Sequence, residues 1–235
     1  MKNFPKLQGF TGKLPAIGDF VKRGLPPSFL SQWESWLQSA IAASREQLGD
    51  AWLDVYLFSP IWRFGLSPGV CGENAWAGVL MPSVDKVNRH YPFTLAFSVN
   101  DAANLVYLFG SEQGGAWFRE LEKLALSGLD GVGVDAINEQ VQTVTMPRFS
   151  ATGLSPASLD SRGKCAFHIA TGDLEQTPSV FMELSANLLS QFMPLHSLWS
   201  PLNAEGIAPS LIVCEGLPPD DRSGQWTSMR MRCSD

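Results

Sequence analysis

The chain has 235 residues, of which 45% are hydrophobic and 11% aromatic, while 17% are charged against the ~25% usual in soluble domains. This composition excludes a disordered chain, which needs low hydrophobicity and high net charge. Lys and Arg number 17 against 23 Asp and Glu, so the net charge is −6, the wrong sign for tracking phosphates, and no nucleic-acid partner is expected.

No stretch approaches the ~18 apolar residues a membrane helix needs, so no membrane insertion is expected. The first residues, Met1-Lys2-Asn3-Phe4-Pro5-Lys6, lack the apolar run of an export signal. Cys71, Cys165, Cys214 and Cys233 form no CxxC and no Cys/His cluster. They read as thiols in a reducing, cytoplasmic compartment, with no metal and no cofactor expected.

In chain order, the first segment of note is Lys13-Leu14-Pro15-Ala16-Ile17-Gly18-Asp19-Phe20-Val21-Lys22-Arg23. It mixes turn residues, charge and apolar side chains, and reads either as a loop leading to the first helix or as a docking surface. Pro26-Pro27-Ser28 signals a helix start, with Ser28 as the expected cap. Phe29, Trp33, Trp36, Leu37, Ala40, Ile41 and Leu48 then recur at helical spacing, and Gly49 supplies the stop.

Residues 51–99 read as strand territory. Trp62, Phe64 and Leu66 alternate on one face, and Ala75–Met81 and Phe93–Val99 have the composition of buried strands. Residues 112–129 return to helical spacing, and a second helix is predicted from Asp135 to Val144. Residues 147–163 form a polar connection, read as a loop within one domain. Lys164–Ile169 predicts a strand and Ser179–Met193 a helix. His196–Trp199 and Ser210–Cys214 predict paired strands about a turn at Asn203–Gly206.

A single domain over residues 1–218 and a polar, flexible tail over 219–235 are expected. Interleaved strands and helices, with helix enough for both sides of a sheet, predict an α/β fold with α+β character. The expected architecture is a three-layer α/β/α sandwich on a mixed, partly antiparallel sheet.

Chemical motifs are sparse. Gly131-Val132-Gly133-Val134-Asp135-Ala136 matches the dinucleotide fingerprint, but a helix rather than a strand precedes it, so it reads as a connection between helices. Ser83-Val84-Asp85-Lys86 and Ser161-Arg162-Gly163-Lys164 match SxxK without the companion elements that serine acylation requires. His168 and His196 fall in strand patterns and read as structural imidazoles. Asp85, Arg89 and His90 lie in the most polar patch beside an apolar strand, and could assemble a phosphate or carboxylate site or simply position the strand at Phe93. Most of the eight Trp sit on predicted core faces, with Trp199 and Trp226 as candidates for an interface.

Residue strings add a family likeness. Gly9-Phe10-Thr11-Gly12-Lys13-Leu14-Pro15, Gly18-Asp19-Phe20-Val21-Lys22-Arg23 and Leu25-Pro26 resemble the opening signature of the TagF (ImpM) family. The resemblance continues through Ala51–Asp54, Ser59–Phe64, Pro68–Gly72, Trp76–Asp85, Arg89, Tyr91-Pro92 and Thr94–Ala96, and returns at Ser197–Trp199 and Pro209–Pro219. Thr11 stands where the family usually has an aromatic, and Ser200 where a second Trp is usual.

The resemblance implies an accessory protein of a bacterial type VI secretion system, cytoplasmic and not an enzyme. It further implies post-translational repression of secretion, by association with the forkhead-associated scaffold protein of that system. On that reading Lys13, Asp19, Lys22 and Arg23 form a polar rim around an apolar anchor, Phe20. The competing expectation is a small-ligand-binding or hydrolytic protein using Asp85, Arg89 and His90. A third is a purely structural component of the apparatus.

Overall fold

The computed structural model describes residues 7–149, 158–159, 165–166, 177–202 and 209–219. The strands are β1 (Gln8–Gly12), β2 (Val21–Arg23), β3 (Trp62–Leu66), β4 (Ala75–Met81), β5 (Phe93–Val99), β6 (Ser158–Leu159), β7 (Cys165–Ala166), β8 (His196–Pro201) and β9 (Ile212–Glu215). The helices are α1 (Pro27–Leu48), α2 (Trp52–Leu57), α3 (Asn104–Gly110), α4 (Glu112–Leu129), α5 (Val134–Thr143) and α6 (Thr177–Phe192). Seven strands join in the order β2-β1-β5-β4-β3-β8-β9, while β6 and β7 pair separately.

Side-chain alternation along the strands divides the interior in two. Ala75, Ala77, Val79 and Met81 of β4 and Phe93, Leu95, Phe97 and Val99 of β5 face one layer. Leu105 and Leu108 of α3, Trp117, Phe118 and Leu121 of α4, and Ile137 and Val141 of α5 cover them. Trp76 and Leu80 of β4, with Phe64 and Leu66 of β3 and Trp199 of β8, face the opposite layer. Phe29, Trp33 and Leu37 of α1 close that side.

Trp33 sits at the centre of this second layer. Its ring lies parallel to Trp199 at 6.0 Å and tilted over Phe64 at 4.6 Å. Its indole N–H donates to Thr94 Oγ1 at 3.0 Å, so the polar end of the ring is satisfied inside the core. Helices therefore cover both faces, and the α/β layering expected from the sequence is present. The mixed sheet expected from the sequence is not what forms: every pairing among the described strands is antiparallel. Loops without a helix, residues 67–74 and 82–92, join β3 to β4 and β4 to β5, so each strand returns beside its neighbour in the antiparallel sense.

Strands β4 and β5 occupy the predicted residues, and α4, α5 and α6 lie within two residues of prediction. Five elements were not anticipated. Strand β1 falls where no element was predicted, β2 in the Lys13–Arg23 segment read as a loop or docking surface, α2 in the stretch read as strands, α3 before the predicted helix at 112, and β6 in the 147–163 connection read as a loop. Strand β1 (Gln-Gly-Phe-Thr-Gly) has a poor strand composition, but its Gly9 serves the pairing: a Cβ there would lie 2.0 Å from the Arg23 carbonyl oxygen of β2.

The start of α1 also differs. Pro26 is the N-cap and Pro27 the first helical residue, so Ser28 lies inside the helix and makes no capping bond. Trp199 is wholly buried and belongs to the core, not to a surface. His196 is buried with its Nδ1 2.7 Å from the Met193 carbonyl oxygen, a structural imidazole as expected. Cys71 is buried, which pushes its thiol up to about 12. Trp226, Cys233, His168, Ser161, Lys164, the turn at Asn203–Gly206 and the tail beyond Pro219 lie outside the described residues.

Candidate functional site

Antiparallel register brings two distant segments to one end of the sheet. Thr11 pairs with Thr94 across β1 and β5, and Met81 with Phe93 across β4 and β5. The chain leaving β1 therefore runs beside the loop that joins β4 to β5. At the junction Gly12 has φ 131°, and a Cβ there would sit 2.2 Å from the Pro92 carbonyl oxygen. Helix α2 reaches the same end, because Trp62, just after it, pairs with Leu80.

Asp85 organises these loops. Its Oδ1 accepts from the backbone N–H of Val87 at 3.0 Å and of Arg89 at 2.9 Å, the local capping that makes Asp a turn residue. Asn88, at φ 68°, completes the turn in a left-handed conformation that asparagine tolerates. The Asp85 Oδ2 lies 3.0 Å from Lys13 Nζ and accepts from Arg89 Nε at 2.7 Å. Four donors thus use the roughly four acceptor positions of one carboxylate. Burial opposes the Asp85 charge, but the Arg89 N–H, the Lys13 and Arg89 side chains and the Val87 N–H hold its carboxyl well below the usual carboxylate range.

The clamp extends to both neighbours. The Arg89 guanidinium also donates to the Gly18 carbonyl, and the Lys86 N–H donates to the Ile17 carbonyl at 3.0 Å. Ser83 Oγ donates to the Lys13 carbonyl at 2.7 Å. On the α2 side, the Tyr56 hydroxyl donates to the Ser83 carbonyl and accepts from the Ser83 N–H, at 2.8 and 2.9 Å. His90 is half-buried and packs edge-on against Tyr56 at 5.7 Å and Trp52 at 6.1 Å. The Ser83–Lys86 motif is therefore a buried tie beside an exposed lysine, in a turn rather than a helix.

The two candidate sets from the sequence, one at residues 13–23 and the other at 85–90, meet in this single constellation. Lys13 is buried beneath it rather than part of a rim, with its ammonium 4.9 Å from the Phe20 ring centroid. Phe20 is 45% exposed and held edge-on by Tyr91 at 4.8 Å. Asp19 is exposed, and its Oδ1 accepts from the Phe20 N–H at 2.8 Å, fixing the backbone beneath that ring. Lys22 pairs with Glu34 of α1 at 2.7 Å, and Glu34 also accepts from Thr11 Oγ1 at 3.1 Å. Arg23 is exposed on β2.

Sequence reasoning missed Tyr56, Glu34 and Val87. No local pattern marks Tyr56 or Glu34, because each acts across a long-range contact; Val87 carried a signal, an apolar residue inside a polar loop. Among the described residues, no three His, Cys, Asp or Glu side chains are placed to hold a metal ion. No described helix is long and apolar enough to cross a membrane. The surface presents an exposed aromatic ring and exposed cations over a saturated carboxylate.

The TagF N-terminal domain, described as type VI secretion system-associated, matches residues 9–144, a span from β1 through α5 that contains every residue of this site. A crystal structure of PA0076 from Pseudomonas aeruginosa PAO1, at 2.05 Å resolution, is similar over 93% of both chains, with a TM-score of 0.75 and 34% sequence identity. No curated protein matches the chain.

Proposed function

The chain belongs to the TagF family of type VI secretion system-associated proteins, and from that premise we propose that it represses secretion by binding the forkhead-associated scaffold protein of the system. The reading is of a cytoplasmic protein that is not an enzyme. Repression would follow from mass action, since a scaffold surface held by this protein is withdrawn from assembly. The observation that carries the reading is the clamped platform around Asp85. It fixes two loops rigidly and leaves the Phe20 ring exposed above them. Rigid presentation of an aromatic lowers the entropy lost on docking and is the usual anatomy of an interface anchor.

The ligand-binding alternative, a phosphate or carboxylate site assembled from Asp85, Arg89 and His90, is less favoured, because Asp85 and the Gly18 carbonyl already hold the Arg89 guanidinium and His90 packs against Tyr56 and Trp52. Calorimetric titration of the purified chain with the purified scaffold tests the repressor reading. Saturable binding of about micromolar affinity, weakened by Phe20→Ala, is the expected result. No heat at two temperatures, with both proteins folded, overturns it.

A further inference from the structure

The charge at this end of the sheet runs against that of the whole chain. Residues 13–23 and 83–92 expose the cations Lys22, Arg23, Lys86 and Arg89 and only one anion, Asp19, although the chain carries −6. Lys22 is matched by Glu34 and Arg89 by Asp85, whereas the Arg23 guanidinium donates to a neutral backbone carbonyl, that of Lys22. Apolar surface lies among these cations. Phe20 is 45% and Val87 62% exposed, and Leu53 and Leu57 of α2 and Phe58 just after it are exposed beside the same loop, with one further exposed anion, Asp54, on that helix.

We propose that this surface receives a short acidic, amphipathic segment of a protein partner. This rests on the binding reading above and names the chemistry that the site selects. Apolar side chains of the segment cover Phe20 and Val87, and its carboxylates face Lys86, Arg89 and Arg23. The apolar contact supplies affinity, while the cations steer an acidic partner and reject a basic one. Arg89 is preset for this role: Asp85 and the Gly18 carbonyl already fix its guanidinium, so little side-chain freedom is lost on binding. An anionic membrane is the weaker candidate, because stable lipid attachment draws on a dense polybasic cluster or a lipid-facing amphipathic helix.

The test is calorimetric titration of the full chain with the purified forkhead-associated scaffold at several salt concentrations, using Lys86→Glu, Arg23→Glu and Asp19→Asn. All three positions are exposed, Asp19→Asn keeps the side-chain oxygen that accepts from the Phe20 N–H, and circular dichroism checks that each variant folds. The two charge reversals should each weaken binding roughly three- to tenfold, Asp19→Asn should tighten it, and affinity should fall as salt rises. A gain at one position and a loss at the others cannot come from a damaged fold. Wild-type affinity in all three variants, without salt dependence, overturns this inference and leaves the repressor reading standing. No binding by the wild-type chain overturns both. Binding to phosphatidylserine vesicles that Lys86→Glu abolishes, with scaffold binding unchanged, assigns the cations to lipid and overturns the inference.

Discussion

Lys13 Nζ lies 3.0 Å from Asp85 Oδ2, and both side chains are withdrawn from solvent. Buried ion pairs seldom add much stability over a well-packed apolar pair, but removing one partner strands the other. Here the pair joins the strand-ending segment after β1 to the loop between β4 and β5. It therefore fixes the relative position of two segments whose exposed residues form the candidate interface.

Replacing Asp85 by Asn should lower the urea midpoint with little change in the denaturant slope, because Lys13 keeps its charge without a counter-charge. Combining it with Lys13→Met should recover part of the loss, and a double-mutant cycle by urea denaturation measures the coupling. Strict additivity would mean that the pair is not coupled.

Acid should reveal the same carboxylate. Its folded-state proton affinity is depressed, so its contribution is present above the unfolded value of about 3.9 and is lost as pH falls through the folded one. The stability gap between wild type and Asp85→Asn should stay level from neutral pH to about 5 and narrow below about 4. Urea midpoints across that range check the sign.

Thr94→Val keeps the shape of a wholly buried residue but removes the acceptor of the Trp33 indole N–H. An unsatisfied buried donor costs about 1–3 kcal/mol, and thermal or urea unfolding should show a loss of that size. A loss well under that range would mean that the indole finds another acceptor.

Gly12→Ala should be far more damaging than Gly18→Ala. A methyl at position 12 meets the Pro92 carbonyl oxygen at 2.2 Å with φ at 131°, whereas one at position 18 meets nothing within 4 Å. Strain of this kind costs on the order of 1–3 kcal/mol before the clash is added. Comparing the unfolding midpoints of the two variants is sufficient.

Local chemistry determined much of this protein. The apolar spacing of α1, from Phe29 through Trp33 to Leu37, and the buried runs of β4 and β5 are legible because burial imposes a period that neighbours in sequence share. The residues near Phe20 and near Asp85 were also legible as two separate candidates. Their union was not, since the link from Lys13 to Asp85 and that from Tyr56 to Ser83 depend on antiparallel register between distant strands. Strands β1 and β2 escaped for the same reason: glycines that weaken a strand by local propensity are what allow these two backbones to approach. The tertiary structure alone decided that Lys13 is buried and Phe20 exposed, because both belong to one short segment and only packing against the loop from β4 to β5 distinguishes their sides.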